Sequence, residues 1–188
     1  ATWTARTGNN IATWIATSAD GGKRWNKPLP LQSGIKNAGG PRVAVSGNRV
    51  AVVWRQLDGI VNRIYASCST DSGKTWTLPA PVTTGFGNAW GPDVSFTEER
   101  MLVVWRQRED KQNTYYDCFS VNTAYACSSD DGGKTWSAPR TFTSGFGDGV
   151  TPRLAFAGAR ALAGYVSSDG ALWTLYSNVG RVIFPDVK

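Results

Sequence analysis

The apolar residues of this chain fall in short runs, alternating or continuous, each bounded by Gly, Pro or Asp. That is the signature of β-strands. The clearest set begins with Pro41-Arg42-Val43-Ala44-Val45 and continues through Arg49-Val50-Ala51-Val52-Val53-Trp54-Arg55-Gln56 to Asn62-Arg63-Ile64-Tyr65-Ala66-Ser67-Cys68. An outer strand from Trp76 to about Val82 completes the unit. The same order returns from Pro92 to about Phe142. It returns again as Pro152-Arg153-Leu154-Ala155-Phe156, Ala161 to Ser167, Leu172 to Tyr176, and Val182-Ile183-Phe184. Paired aromatics mark each unit: Trp3 with Trp14, Trp54 with Tyr65, Trp105 with Tyr125, and Tyr165 with Tyr176. Their gaps are 11, 11, 20 and 11 residues, so the third unit carries a nine-residue insertion.

The first unit opens on Trp3-Thr4-Ala5-Arg6, the counterpart of a second strand, and has no innermost strand. Val182-Ile183-Phe184 does not supply one. Only Ser177-Asn178-Val179-Gly180 precedes it, a hairpin connection too short to reach another unit. Four units and fifteen strands are expected.

A second repeat joins the third and fourth strands of the units. Ser129-Asp130-Asp131-Gly132-Gly133-Lys134-Thr135-Trp136 and Ser69-Thr70-Asp71-Ser72-Gly73-Lys74-Thr75-Trp76 share the form Ser-x-Asp-x-Gly-x-Thr-Trp. Ser18-Ala19-Asp20-Gly21-Gly22-Lys23-Arg24-Trp25 is a looser copy. The tryptophans stand 51 and 60 residues apart. Ser and Asp side chains accept from backbone amides just ahead of them and close a tight turn. The glycine supplies a positive φ. The tryptophan then opens the outer strand with a large apolar ring. Ser18, Asp20, Gly22 and Trp25, with Ser69, Asp71, Gly73 and Trp76 and with Ser129, Asp131, Gly133 and Trp136, are therefore read as hairpin staples. A Ca²⁺ or catalytic role for these aspartates is the weaker reading.

This motif resembles the Asp-box, the bacterial neuraminidase repeat of the sialidase-like β-propellers. The resemblance and the strand pattern agree on the fold class. They imply an all-β chain, a β-propeller of about four blades built from four-stranded antiparallel sheets, its first blade lacking the inner strand. The blades fall at about residues 1–34, 41–83, 92–143 and 152–186 of a single domain. An unclosed blade leaves exposed edges. The chain is then a small four-bladed ring, a segment of a larger propeller, or a protomer that closes against another copy.

Composition narrows the function. The net charge of +6 is scattered, without the basic patch that nucleic-acid binding needs. No apolar run is long enough to span a membrane. The chain has no His, which removes Ser-His-Asp and Cys-His nucleophile systems and His-ligated zinc. No cofactor or metal is expected. The sequence begins at Ala1 and its sole methionine is Met101, so it reads as processed or as part of something longer. Together with the resemblance this favours a secreted or cell-surface protein. Of Cys68, Cys118 and Cys127, the short spacing makes Cys118–Cys127 the first candidate for a bridge, with three reduced thiols as the alternative.

Up-and-down topology puts the boxes on one face of the propeller. The opposite face collects the starts of the inner strands, Gly40-Pro41-Arg42, Gly91-Pro92-Asp93 and Thr151-Pro152-Arg153. It also collects the ends of the second strands, Trp54-Arg55-Gln56 and Trp105-Arg106-Gln107, and the connections 84–90 and 144–149. Arg42, Arg153, Arg55 and Arg106 can offer planar donors to a carboxylate or sulfate. Asp93 and Gln107 can complete a polar mouth, while Trp90, Phe86, Phe146, Tyr115 and Tyr116 can stack on a sugar. The competing reading pairs the arginines with Asp93 and packs the Gly-Phe-Gly turns.

Sialidases, by resemblance, are six-bladed, hold the substrate carboxylate with three arginines, and use a Tyr–Glu nucleophile pair with an Asp acid/base. Arg42 and Arg153 stand where the first such arginine would, but each follows Pro, outside the family's aromatic-Arg-Ile-Pro motif. Glu109, Tyr115, Tyr116 and Asp117 are the right types for glycoside chemistry. They crowd into one insertion instead of coming from several blades. The leading expectation is a binding module for anionic glycan or polysaccharide. The alternative is a sialidase-like glycoside hydrolase.

Overall fold

The computed structural model describes residues 1–31, 37–83, 85, 87–97, 100–108, 122–141, 150–157, 160–166 and 174–178. Among them are fourteen strands in four antiparallel sheets. Blade one contains β1 (Thr2–Thr7), β2 (Asn10–Ile15) and β3 (Leu29–Leu31). Blade two contains β4 (Gly39–Ser46), β5 (Arg49–Asp58), β6 (Val61–Ser69) and β7 (Ala80–Pro81). Blade three contains β8 (Asn88–Phe96), β9 (Met101–Arg108), β10 (Asn122–Ser129) and β11 (Arg140–Thr141). Blade four contains β12 (Val150–Ala157), β13 (Arg160–Val166) and β14 (Thr174–Asn178). Each sheet runs in chain order from its innermost strand outward. Among the described residues blade one has no innermost strand, and Val182-Ile183-Phe184 lies outside them.

The inner strands lie side by side, β4 against β8 and β8 against β12, with β1 against β4. This is the arrangement of a β-propeller, and its hydrophobic material sits between blades. Val50, Val52 and Trp54 point one way from β5 and pack with Ile15 and Leu31 of blade one. Ala51 and Val53 point the other way and pack with Val94, Met101, Val103 and Trp105 of blade three. Val104, Ala124 and Ala126 meet Leu154 and Ala163 of blade four. The second strands are continuous apolar runs because both of their faces are buried.

The paired aromatics are cross-strand partners: Trp3 faces Trp14, Trp54 faces Tyr65 and Trp105 faces Tyr125. Trp54 and Tyr65 stack at 6.3 Å, and Trp105 and Tyr125 at 5.9 Å. The fourth pair is offset, since Tyr165 faces Thr174 and Tyr176 faces Ala163.

In all three boxes the serine hydroxyl donates to the aspartate, at 2.9, 2.7 and 2.9 Å, and accepts from the amide of Gly22, Gly73 or Gly133. Those amides lie four residues on, while the Lys74 and Lys134 amides, three residues on, donate to Asp71 and Asp131 at 3.0 Å each. Asp71 and Asp131 also accept from the Thr75 and Thr135 hydroxyls at 2.6 Å each. Arg24 replaces the threonine in the first box, so Asp20 accepts there from the Arg24 amide. The threonine hydroxyl bond, followed by the threonine amide, holds the Asp71 and Asp131 carboxyls well below the usual carboxylate range. A depressed folded-state pKa gives stability that is present above the unfolded pKa of about 4 and is lost as pH falls below it. Thermal melts from pH 5 down to about pH 2 are expected to fall less steeply in an Asp71→Asn/Asp131→Asn variant than in the native chain. Parallel acid limbs would show that the boxes take no part in acid unfolding.

The outer strands are shorter than the sequence suggests. They begin four residues after the box tryptophan, not at it. The Trp25 and Trp76 indoles fold back to donate to the Gly22 and Gly73 carbonyls at 3.0 and 3.1 Å. Pro28, Pro79 and Pro139 then remove a ladder donor just before or at the strand start. In each of blades one to three one backbone bond, such as Thr77 N to Cys68 O at 2.8 Å, bridges the gap.

The cysteine expectation needs correcting. Cys127 is free and buried, so it forms no bridge with Cys118, which lies outside the described residues. Cys68 is also free, with its sulfur 3.8 Å from the Met101 sulfur in the core between blades two and three. Burial pushes the Cys68 thiol up to about 12 and raises the Cys127 thiol as well. Both behave as small apolar side chains.

Candidate functional site

The mouth opposite the boxes is built by one device used three times. Gly39 pairs with Arg55 and Arg42 with Val53, so three steps on β4 match two on β5. The same one-residue bulge lies between Trp90 and Asp93 on β8 and between Val150 and Arg153 on β12. Gly40 and Gly91 take φ near +58° there, which a side chain would resist. The proline that follows has no amide to give the ladder, and a bulge leaves that residue out of the pairing. Pro92 and Pro152 are fully buried as a result. The inner strands accordingly start at Gly39, Asn88 and Val150, earlier than the prolines suggest, and Trp90 belongs to a strand and not to the preceding connection.

The residue after each proline shares one register position: Arg42, Asp93 and Arg153. Arg42 and Arg153 are exposed, and no ion pair involves either among the described residues. Asp93 forms an ion pair with neither among the described residues; its Oδ2 accepts from the Leu154 amide at 2.9 Å and ties blade three to blade four.

Arg106 lies over its cross-strand partner Trp90, 5.6 Å from the ring centroid. Its Nε is buried and has no hydrogen-bond partner among the described residues. The Arg55 guanidinium lies so close to Gly39 that a Cβ there would stand 2.7 Å from it. Gln107 points inward: it is buried, and its Oε1 accepts from the Trp105 indole at 3.1 Å. Gln56 accepts from Trp54 in the same way at 2.9 Å. Glu109, Tyr115, Tyr116, Asp117, Phe86 and Phe146 lie outside the described residues.

Two braces of this face escaped the sequence reading. Asn88 accepts from the Asn62 amide at 2.9 Å, joining blades two and three. Arg63 bonds Asp58 at 2.9 Å and the Gly85 carbonyl at 2.9 Å, fixing the connection into β8. Only the placement of Asn and Arg beside Gly-rich turns could have signalled them. Among the described residues no group of three or more His, Cys, Asp or Glu could hold a metal ion. No helix there is long and apolar enough to cross a membrane. Away from the mouth, a cleft of about 680 Å³ lies between blades one and two, lined by Ile15, Trp25, Val43 and Val45.

No protein-family sequence model matches the chain, and no curated protein matches it in sequence. Solved structures do match in fold. An alpha-L-arabinanase from Penicillium chrysogenum superposes with a TM-score of 0.60 at 15% identity, over 94% of this chain and 57% of that one. An endo-arabinase from Bacteroides thetaiotaomicron gives 0.52 at 13% identity, over 97% of this chain and 75% of that one. A mutant of the NanB sialidase from Streptococcus pneumoniae gives 0.55 at 13% identity, over 90% of this chain and 26% of that one. The chain thus spans little more than half of the arabinanase and about a quarter of the sialidase. At these identities the likeness shows the fold, and the fold is that of a β-propeller.

Proposed function

We propose that the chain is a secreted carbohydrate-binding module whose mouth takes an anionic glycan or polysaccharide. One observation carries this reading: Arg42 and Arg153 are exposed, without ion-pair partners among the described residues, at the same bulge of separate inner strands. Structural arginines at strand ends would be expected to have found carboxylates, whereas ligand-binding ones are kept open for a carboxylate or sulfate. Arg106 with its unpartnered Nε, stacked on Trp90, adds a donor beside an aromatic face. The neighbours named arabinanase and sialidase act on carbohydrate polymers and sialosides by name, which supports a sugar over another anion.

Those same names favour a second reading, a glycoside hydrolase of sialidase type. Its groups would be Tyr115 or Tyr116 with Glu109 as the nucleophile pair and Asp117 as acid/base, all in the insertion.

Binding to an array of sialylated, sulfated and uronic-acid glycans is expected. Arg42→Ala or Arg153→Ala should weaken it tenfold or more, about the worth of one charge-assisted bond. Retention of no acidic glycan would sink the binding reading. Turnover of a fluorogenic sialoside or of arabinan, lost in Tyr115→Phe or Tyr116→Phe, would promote the hydrolase.

A further inference from the structure

We propose that Trp90 is a positioning residue that presents the Arg106 guanidinium to a ligand. The group received is the carboxylate of an acidic sugar, in preference to a sulfate ester, and this rests on the anionic-glycan reading of the mouth.

Two blades build the same position differently. Arg55 and Arg106 hold one register on the second strands, two residues after Val53 and Val104. Their cross-strand partners, each at the start of the inner-strand bulge, are Gly39 and Trp90. Gly39 has no side chain, and the Arg55 guanidinium lies down into that space. A Cβ on Gly39 would stand 2.7 Å from a terminal nitrogen of Arg55 and 3.4 Å from its Nε. In blade three the indole takes that space, and the Arg106 guanidinium lies over the ring instead, its central carbon 5.6 Å from the centroid. A change from glycine to tryptophan thus turns a filler into a raised donor.

The raised arginine is short of partners. Its Nε is buried without a hydrogen-bond partner among the described residues, an unmet donor that packing alone does not explain. It forms no ion pair among those residues either. With Nε covered, the two terminal nitrogens are the donors left for a ligand. Side by side they match the two oxygens of a carboxylate in one plane. A sulfate held the same way carries further oxygens out of that plane, beside a ring whose face is negative.

The place suits a shared ligand. Val104 packs on Leu154, and alternate residues of a strand share a face, so Arg106 lies on the blade-four side of β9. Asp93 holds the Leu154 amide at 2.9 Å, which sets the exposed Arg153 on the same seam.

The test uses the intact chain and oligosaccharides of one length bearing galacturonate, sialate or galactose sulfate. At least one carboxylate series is expected to bind about tenfold or more tighter than the sulfate series. Arg106→Lys keeps the charge but loses the fork, so it should weaken carboxylate binding about tenfold and erase the preference. Trp90→Phe, still aromatic, should keep both. Trp90→Gly should lose both, because the guanidinium then lies down on β8 as it does in blade two. Arg55→Lys should change neither. Melting curves show which variants fold, and if Trp90→Gly does not, Arg106→Lys and Arg55→Lys decide. The proposal falls if the native chain shows no preference for carboxylate, if Arg106→Lys binds as the native chain does, if Arg55→Lys costs as much, or if Trp90→Phe loses as much as Arg106→Lys. Binding that Arg42→Ala or Arg153→Ala removes and Arg106→Lys leaves untouched would overturn this role while upholding the anionic-glycan mouth. Retention of none of the three oligosaccharides would bring down both.

Discussion

Trp105→Ala is expected to lower the unfolding free energy by about 3–5 kcal/mol, the range for emptying a large aromatic site in a core. Trp105 is fully buried between blades two and three, stacks on Tyr125 at 14° between ring planes, and donates its indole proton to Gln107. For a chain of this size that corresponds to a fall in Tm on the order of 10 °C. Trp25→Ala is the matched comparison, since Trp25 is 52% exposed and should cost clearly less than Trp105→Ala. Chemical denaturation of the two variants checks both. Equal losses would mean that the hydrophobic material does not lie between blades as described.

The second large effect concerns the box glycines. Gly22, Gly73 and Gly133 hold the same place in the three copies, with φ of +90°, +83° and +86°. Placing Ala at any of them costs about 1–2 kcal/mol for the left-handed backbone alone. The surroundings then differ. A Cβ at Gly22 meets only the Trp25 ring, at 3.6 Å, whereas at Gly73 it stands 2.9 Å from the Thr17 methyl. At Gly133 it collides with the buried Cys68 sulfur and crowds the Met101 methyl at 3.3 Å. Overpacking adds about 1–3 kcal/mol there. The expected order of destabilisation is therefore Gly133→Ala, then Gly73→Ala, then Gly22→Ala. The difference between the first and last measures how tightly a box seats on the preceding blade. An indistinguishable trio would mean that the boxes only turn the chain.

These two experiments also mark what the sequence made legible. The aromatic pairs revealed the repeat because Trp54 with Tyr65 and Trp105 with Tyr125 are direct cross-strand partners, and such partners keep a fixed spacing through a hairpin. The place of Trp3 on a second strand was legible for the same reason, since it pairs with Trp14. Strand ends were not. Pro41, Pro92 and Pro152 look like stops, and only the bulge lets the strand run through them. Pro28, Pro79 and Pro139 shorten the outer strands instead, since no bulge accommodates them there. At the mouth, the arginines were legible by their recurrence. The inward turn of Gln107 and the use of Asp93 as a tie between blades were not, because both depend on a neighbour brought close by the fold. The interblade seating of the boxes was hidden likewise: Gly133 and Cys68 are far apart along the chain.

Placing the apolar residues in the seams makes a lone blade an unlikely thing to isolate, because it would present two greasy flanks and no interior. The smallest piece that retains a whole seam is a neighbouring pair. Loss of an inner blade dissolves two of the described seams and loss of an end blade only one, so unfolding should travel along the row from whichever end is least covered.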